Sequence, residues 1–77
     1  MEIEIAASAF RHGVAEGDIR SVLNLPFRIV RIEGDRILFI GGDGAGQLLE
    51  VIVVDAEEEA IVIHAMPLRP KFMRFLG

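Results

Sequence analysis

The chain has 77 residues, no cysteine and two histidines; 52% of its residues are hydrophobic, 26% are charged, and the net charge is −4 at pH 7. That length fits one small domain over 1–77, burying roughly 60–65% of its unfolded surface. The composition excludes a disordered chain, a disulfide or thiolate-metal scaffold and a protein held to nucleic acid by net charge alone, and no apolar run is long enough to span a membrane as a helix.

In chain order, "MEIEIA" alternates Glu2, Ile3, Glu4 and Ile5, and period two with one polar face reads as a half-exposed strand. Ile3–Ala6 is expected as an edge strand. The same opening lacks the basic start and long apolar stretch of a signal peptide, so a cytoplasmic location is expected. "ASAFRHG" suits a short helix stopped by Gly13. In "VAEGDIRSVLN", Val14, Ile19, Val22 and Leu23 fall near one helical face, and Glu16 and Asp18 suit a helix N-terminus. Asn24 and Pro26 end this second helix.

From Phe27 the pattern turns to strands. "FRIVRIE-GD-RILFIG" predicts a hairpin around Gly34-Asp35, with Gly first as a type II′ turn prefers. Glu33 then faces Arg36, Arg31 faces Leu38, and Val30 faces Phe39. "GGDGAG" reads as a flexible turn; it has the glycines of a phosphate loop, but no Lys-Ser or Lys-Thr follows and the next element is a strand. Gln47–Val54 and Ala60–Met66 are the remaining strands, flanking an acidic turn. "PLRPKFMRFLG" closes with a short helix, Pro70 in its first turn, with Phe72, Leu76 and Phe75 packing down while Lys71 and Arg74 stay wet. The expected fold is α+β: two short N-terminal helices packed on an antiparallel meander sheet of four to five strands, and a short C-terminal helix.

Register decides which side chains share a face. Closing the last hairpin on Val54 and Ala60 sets Val51 opposite Ile63, Val53 opposite Ile61 and Glu50 opposite His64. The expected core face holds Val30, Ile32, Ile37, Phe39, Val51, Val53, Ile61 and Ile63. The other face mixes Arg31, Glu33, Arg36, Glu50 and His64 with Leu38, Ile52 and Val62, and is expected to meet a ligand, a partner or the C-terminal helix.

The chemistry concentrates there. A carboxylate beside an imidazole orients it for general acid–base work, so Glu50 and His64 are the first candidate pair, with Arg31, Arg36 and Arg69 as phosphate-binding cations. The same pair also suits a stabilising cross-strand contact. His12, before Gly13, suits a helix C-terminus. The interleaved "RPKFMRF" resembles segments that bind RNA. No metal motif and no dinucleotide fingerprint is present, and no cofactor is expected.

Several strings, in order, carry a family resemblance. "FRHGVAEGDIRSVLNLPFRIV" resembles the "KHGV" helix–helix–strand opening of BrnT-type toxins, small ribonucleases of the RelE superfamily. "GDRILFIGGDGAGQLLEVIVV" is similar to their central strands, and "IVIHAMPLRPKF" falls where they have an "IISAR" strand end and a basic helix. The resemblance implies a RelE/BrnT-like fold, metal-independent cleavage of RNA that slows translation, and a DNA-binding antitoxin protein as partner in a type II module. It implies Arg11 and His12 at the "KH" positions, Arg36 before the central strand, and His64 in place of the family's serine. Met66 stands where the family has an arginine, and Arg69 is the nearby substitute. Gathered at one groove, His64, Glu50, His12 and Arg36 would be catalytic, and Arg11, Arg31, Arg69 and Lys71 would hold RNA. Two other readings stand beside this one: a non-catalytic protein-binding module, and a homodimer whose mixed faces meet.

Overall fold

The structure, a computed structural model, describes residues 3–56 and 59–77. It is a small α+β arrangement with a five-stranded mixed sheet. Strand β1 (Ile3–Ile5) leads into a 3₁₀ turn (Ala7–Phe10) and helix α1 (Glu16–Asn24). Strands β2 (Arg28–Glu33), β3 (Arg36–Gly42), β4 (Leu48–Ala56) and β5 (Glu59–Pro67) follow, and a second 3₁₀ helix covers Pro70–Phe75. The sheet order is β1-β5-β4-β3-β2; β2 to β5 pair antiparallel in sequence order, and β1 adds parallel to β5.

Two expectations change here. The sheet is not wholly antiparallel: β1 runs parallel to β5, which the chain reaches only after the 3₁₀ turn, α1 and strands β2 to β4, a connection long enough to allow a parallel pair. The first of the two expected N-terminal helices is only the four-residue 3₁₀ turn, too short to offset the cost of nucleating an α-helix. Gly13, at φ +80°, turns the chain away with its N–H on Phe10 O at 3.1 Å. The second forms as an α-helix, with Glu16 and Asp18 in its first turn and Ile19 and Val22 buried. Gly41 sets how closely it packs: a Cβ there would lie 3.2 Å from a Val22 methyl.

The register differs from a regular meander in two places. In β2 the ladder shifts between Arg31 and Glu33, leaving Ile32 as an extra residue. Val30 then lies opposite Leu38 and Arg31 opposite Ile37, while Glu33 still faces Arg36 as expected. In β5 the shift falls between the pairs Ile52–His64 and Val53–Val62, leaving Ile63 as the extra residue. A bulge resets which residues alternate to which face. Ile37, Phe39, Val51 and Val53 share a face as expected, whereas Val30, Ile32, Ile61 and Ile63 do not join them: Val30 lies opposite Leu38 and Ile32 packs in the second core. Ala60, Val62 and Ala65 do, and they pack with Ala9, Ile19 and Val22.

The opposite face is a second core and not an open mixed surface. Leu38 and Ile40 are fully buried there beneath Phe72, with Ile32, Ile52, Leu68, Phe75 and Leu76 around them. The C-terminal segment packs as its sequence suggests, with Phe72 down and Lys71 and Arg74 exposed. Phe72→Ala is expected to cost about 3–5 kcal/mol of stability, because it opens a cavity under the 3₁₀ helix. Leu25→Ala, at a site 80% exposed, should change stability by less than about 0.5 kcal/mol. Equilibrium urea unfolding of both variants checks the contrast.

Candidate functional site

The site lies on the second face, where β4, β5 and the C-terminal 3₁₀ helix meet. Glu50 points inward from the middle of β4 and is fully buried. On β5 the bulge at Ile63 turns His64 to the same side, opposite Ile52 and diagonal to Glu50, whose direct partner is Met66. The expected pair therefore forms, two residues away from the expected register. Beyond Pro67 the Leu68 N–H bonds Leu48 O at 3.0 Å. Arg69 follows in an extended conformation (φ −87°, ψ 151°), and Pro70 starts the 3₁₀ helix.

Glu50 accepts four hydrogen bonds. Oε1 takes the Arg69 backbone N–H at 2.9 Å. Oε2 takes Arg69 Nε at 2.9 Å, Arg69 Nη2 at 2.6 Å and His64 Nε2 at 2.8 Å. Burial by itself would raise the pKa of this carboxyl, but the bonds from the Arg69 side chain, the Arg69 N–H and His64 outweigh it, so Glu50 is held below its ordinary value. The same contact holds the Arg69 guanidinium above its ordinary value. A carboxylate only accepts hydrogen bonds, so Nε2 of His64 carries the hydrogen. Neutral His64 is thereby fixed in one tautomer, with the Nδ1 lone pair left for other chemistry.

The second histidine reaches the same place. The His12 ring centre is 5.6 Å from that of His64, with the planes at 73°, edge to face. His12 is exposed and His64 half-buried, its side chain 22% exposed. His12, His64, Glu50 and Arg69 thus form one cluster assembled from the N-terminal turn, β5, β4 and the start of the C-terminal 3₁₀ helix. Lys71 Nζ and the Arg69 guanidinium sit 5.0 and 5.4 Å from the centre of the Phe72 ring. Arg11 is exposed and adjoins His12 in the chain.

Arg36 and Arg31 are not brought to this cluster. Arg36 is paired with Glu33 at 3.5 Å and lies opposite Val54, whereas Glu50 lies opposite Ile40. Four residues of strand separate the two levels, about 13 Å. Arg31 lies opposite Ile37, on the α1 side, with its guanidinium on Gly34 O at 3.1 Å and 3.9 Å from Asp55. Both arginines stand at the hairpin end of the sheet, which spacing along the chain does not reveal. The glycine loop is also accounted for: Asp43 Oδ1 accepts the N–H groups of Ala45 and Gln47, and Asp18 Oδ1 accepts that of Gly44. Those donors are already used by carboxylates.

Arg69 does not act as the phosphate-binding cation expected from its spacing: its Nε, Nη2 and backbone N–H all serve Glu50. The only signal for this was the glutamate itself, set within the strand "QLLEVIVVD" and needing a cation once both faces were covered. Among the described residues no three His, Cys, Asp or Glu side chains come together as metal ligands, and no helix is long and apolar enough to cross a membrane.

Removing the Arg69 side chain leaves Glu50 buried with fewer donors. Arg69→Ala is expected to cost about 2–3 kcal/mol near neutral pH, less than for a fully dry pair because Arg69 is 36% exposed. The depressed Glu50 pKa contributes stability that is present above its ordinary value of 4.5 and lost as pH falls through the folded-state value. In Arg69→Ala the burial effect gains weight and that contribution shrinks. The stability gap between wild type and variant should be narrow near about pH 3 and widen toward about pH 6, as measured by urea unfolding across that range.

Comparison with protein-family models, with curated proteins and with solved structures finds no match for this chain.

Proposed function

We propose that the protein is a metal-independent ribonuclease of the toxin type that the "FRHGV" and "IHAMPLRPKF" strings resemble. One observation carries the proposal: two imidazoles 5.6 Å apart, one of them hydrogen-bonded to a buried carboxylate at 2.8 Å, beside a basic segment. Cleaving RNA through its own 2′-hydroxyl needs a base, an acid and positive charge near the phosphate, and no redox or carbon chemistry.

In this mechanism Nδ1 of His64 takes the proton of the 2′-hydroxyl while Glu50 holds Nε2–H and faces the imidazolium that forms. The 2′-oxygen attacks phosphorus and the bond to the 5′-oxygen breaks. Protonated His12 gives its proton to that leaving oxygen. The products are a 2′,3′-cyclic phosphate and a 5′-hydroxyl. Lys71 and Arg11 supply charge to the phosphate; Arg69 adds to the local positive field, although most of its donors face Glu50. The partner this reading brings with it is a small DNA-binding antitoxin that covers the site.

A second reading, a non-catalytic binding module or a homodimer, no longer rests on the mixed face expected for it, which the C-terminal 3₁₀ helix covers, but has another observation. Leu25, Phe27 and Ile29 are 80%, 59% and 58% exposed beside or along β2, an outer strand of the sheet. Exposed apolar patches can mark contact surfaces.

The test is cleavage of single-stranded RNA by purified protein in the presence of a chelator. Wild type should release cyclic-phosphate ends and leave a 2′-deoxy linkage intact. His64→Ala and His12→Ala should each slow cleavage by about 10²-fold or more, while Arg36→Ala should stay near wild type. A wild-type protein that leaves RNA uncut, or histidine variants that cut at full rate, would discard the ribonuclease reading in favour of the binding module.

A further inference from the structure

The cluster depends on two histidines carried by segments far apart in the chain, and one residue is bonded to the neighbour of each. Ser8 Oγ donates to Ile63 O at 2.7 Å, across 55 positions of sequence. Ile63 is the extra residue of the β5 bulge and immediately precedes His64. The carbonyl of the same Ser8 accepts the N–H of Arg11 at 3.3 Å, and Arg11 immediately precedes His12. One rung earlier, the Ala6 N–H bonds Val62 O at 2.9 Å, which continues the parallel pairing of Ile5 with Val62.

The bulge carbonyl matters for the direction of His64. Without an extra residue at Ile63, strict alternation would put His64 on the face of Val62, under α1 and away from Glu50. A bulge takes a residue out of the ladder, and the groups it frees need other partners. The Ser8 hydroxyl supplies one to Ile63. It therefore supports the parity that aims His64 at Glu50 while the Ser8 carbonyl holds the turn that carries His12.

We propose that Ser8 is the positioning residue of the site, setting the spacing of the His12 and His64 imidazoles through the bulge and the 3₁₀ turn. The inference rests on the acid–base reading given above. Acid–base transfer across one phosphate tolerates little misplacement, and a shift of about 1 Å can cost on the order of 10²-fold in rate. A hydroxyl that only stabilised the fold would lower the unfolding midpoint and leave the rate and ring geometry of the folded fraction unchanged.

Two readouts test this on the intact chain. The first is steady-state cleavage of a single-stranded RNA. Ser8→Ala should lower kcat by about 10- to 100-fold and move KM by less than about twofold. The second needs no activity: the cross-relaxation signal between His12 and His64 ring protons in the substrate-free protein should be present in wild type and lost in Ser8→Ala. Ser8→Thr keeps the hydroxyl and should restore both, whereas Ser8→Val, of nearly the same shape, should behave as Ser8→Ala. Retention of the inter-ring signal in the Ala and Val variants, or of wild-type kcat, overturns the proposal. If both variants fail to fold, Ser8 is a folding contact and the proposal is again overturned. If wild type cuts no RNA, the acid–base reading falls, and the inter-ring signal still decides whether Ser8 sets the geometry.

Discussion

The carboxylate of Glu50 is the interaction on which this architecture turns. It is fully buried in the middle of a central strand, where an unpaired carboxylate would be strongly destabilising. Four donors converge on it from β5 and from the start of the C-terminal 3₁₀ helix. Bonds to a charged acceptor are roughly twice as strong as neutral ones, and among the described residues no buried side-chain polar atom is left without a partner. The requirement to satisfy this one group fixes where β5 must present His64 and where the chain must place Arg69. Arg69 in turn positions Pro70–Phe75, so that Phe72 closes over Leu38 and Ile40. Charge satisfaction and hydrophobic closure on this face are one event.

The sheet has apolar surface on both sides, and a chain of this size has few elements with which to cover it. One side is covered by α1 and the N-terminal 3₁₀ turn, the other by the C-terminal 3₁₀ helix. The two bulges reconcile these demands. Ile63 lets Ala60, Val62 and Ala65 all face α1 while His64 and Met66 face the other way. Ile32 lets Val30 follow Leu38 while Glu33 still meets Arg36 at the turn. A strictly alternating sheet would have to expose part of one set or bury the wrong members of the other.

The cations divide accordingly. Arg31 and Arg36 lie with Asp55 and Glu33 at the hairpin end, where exposed pairs contribute little to stability. Lys71 and Arg74 lie against Phe72 and Phe75 along the C-terminal helix, and Arg11 adjoins His12. Arg69 is the cation that reaches His64, and its guanidinium is engaged by Glu50.

What the sequence by itself determined was local. Strand periodicity, the acidic start of α1, the Gly34 turn and the apolar spacing of "PKFMRFL" follow from neighbours a few residues apart, so α1, the four strands from β2 to β5 and the packing of Phe72 were legible. Glu50 and His64 do share one side of the sheet as expected, but the bulge at Ile63 brings His64 there, not the regular alternation from which the expectation came. The tertiary structure decided what depends on distant partners. The extra residues Ile32 and Ile63 have no signature in an alternating apolar run, since Ile61, Val62 and Ile63 suit either face equally well. The parallel seat of β1 depends on the path of the intervening chain. The burial of Glu50 depends on Arg69 arriving from beyond β5, the meeting of His12 with His64 depends on the N-terminal turn docking at the bulge, and the distance of Arg36 from both depends on its level in the ladder. Each of these is a contact between segments that sequence spacing leaves independent, and only the closing of both cores on one sheet brings them to their positions.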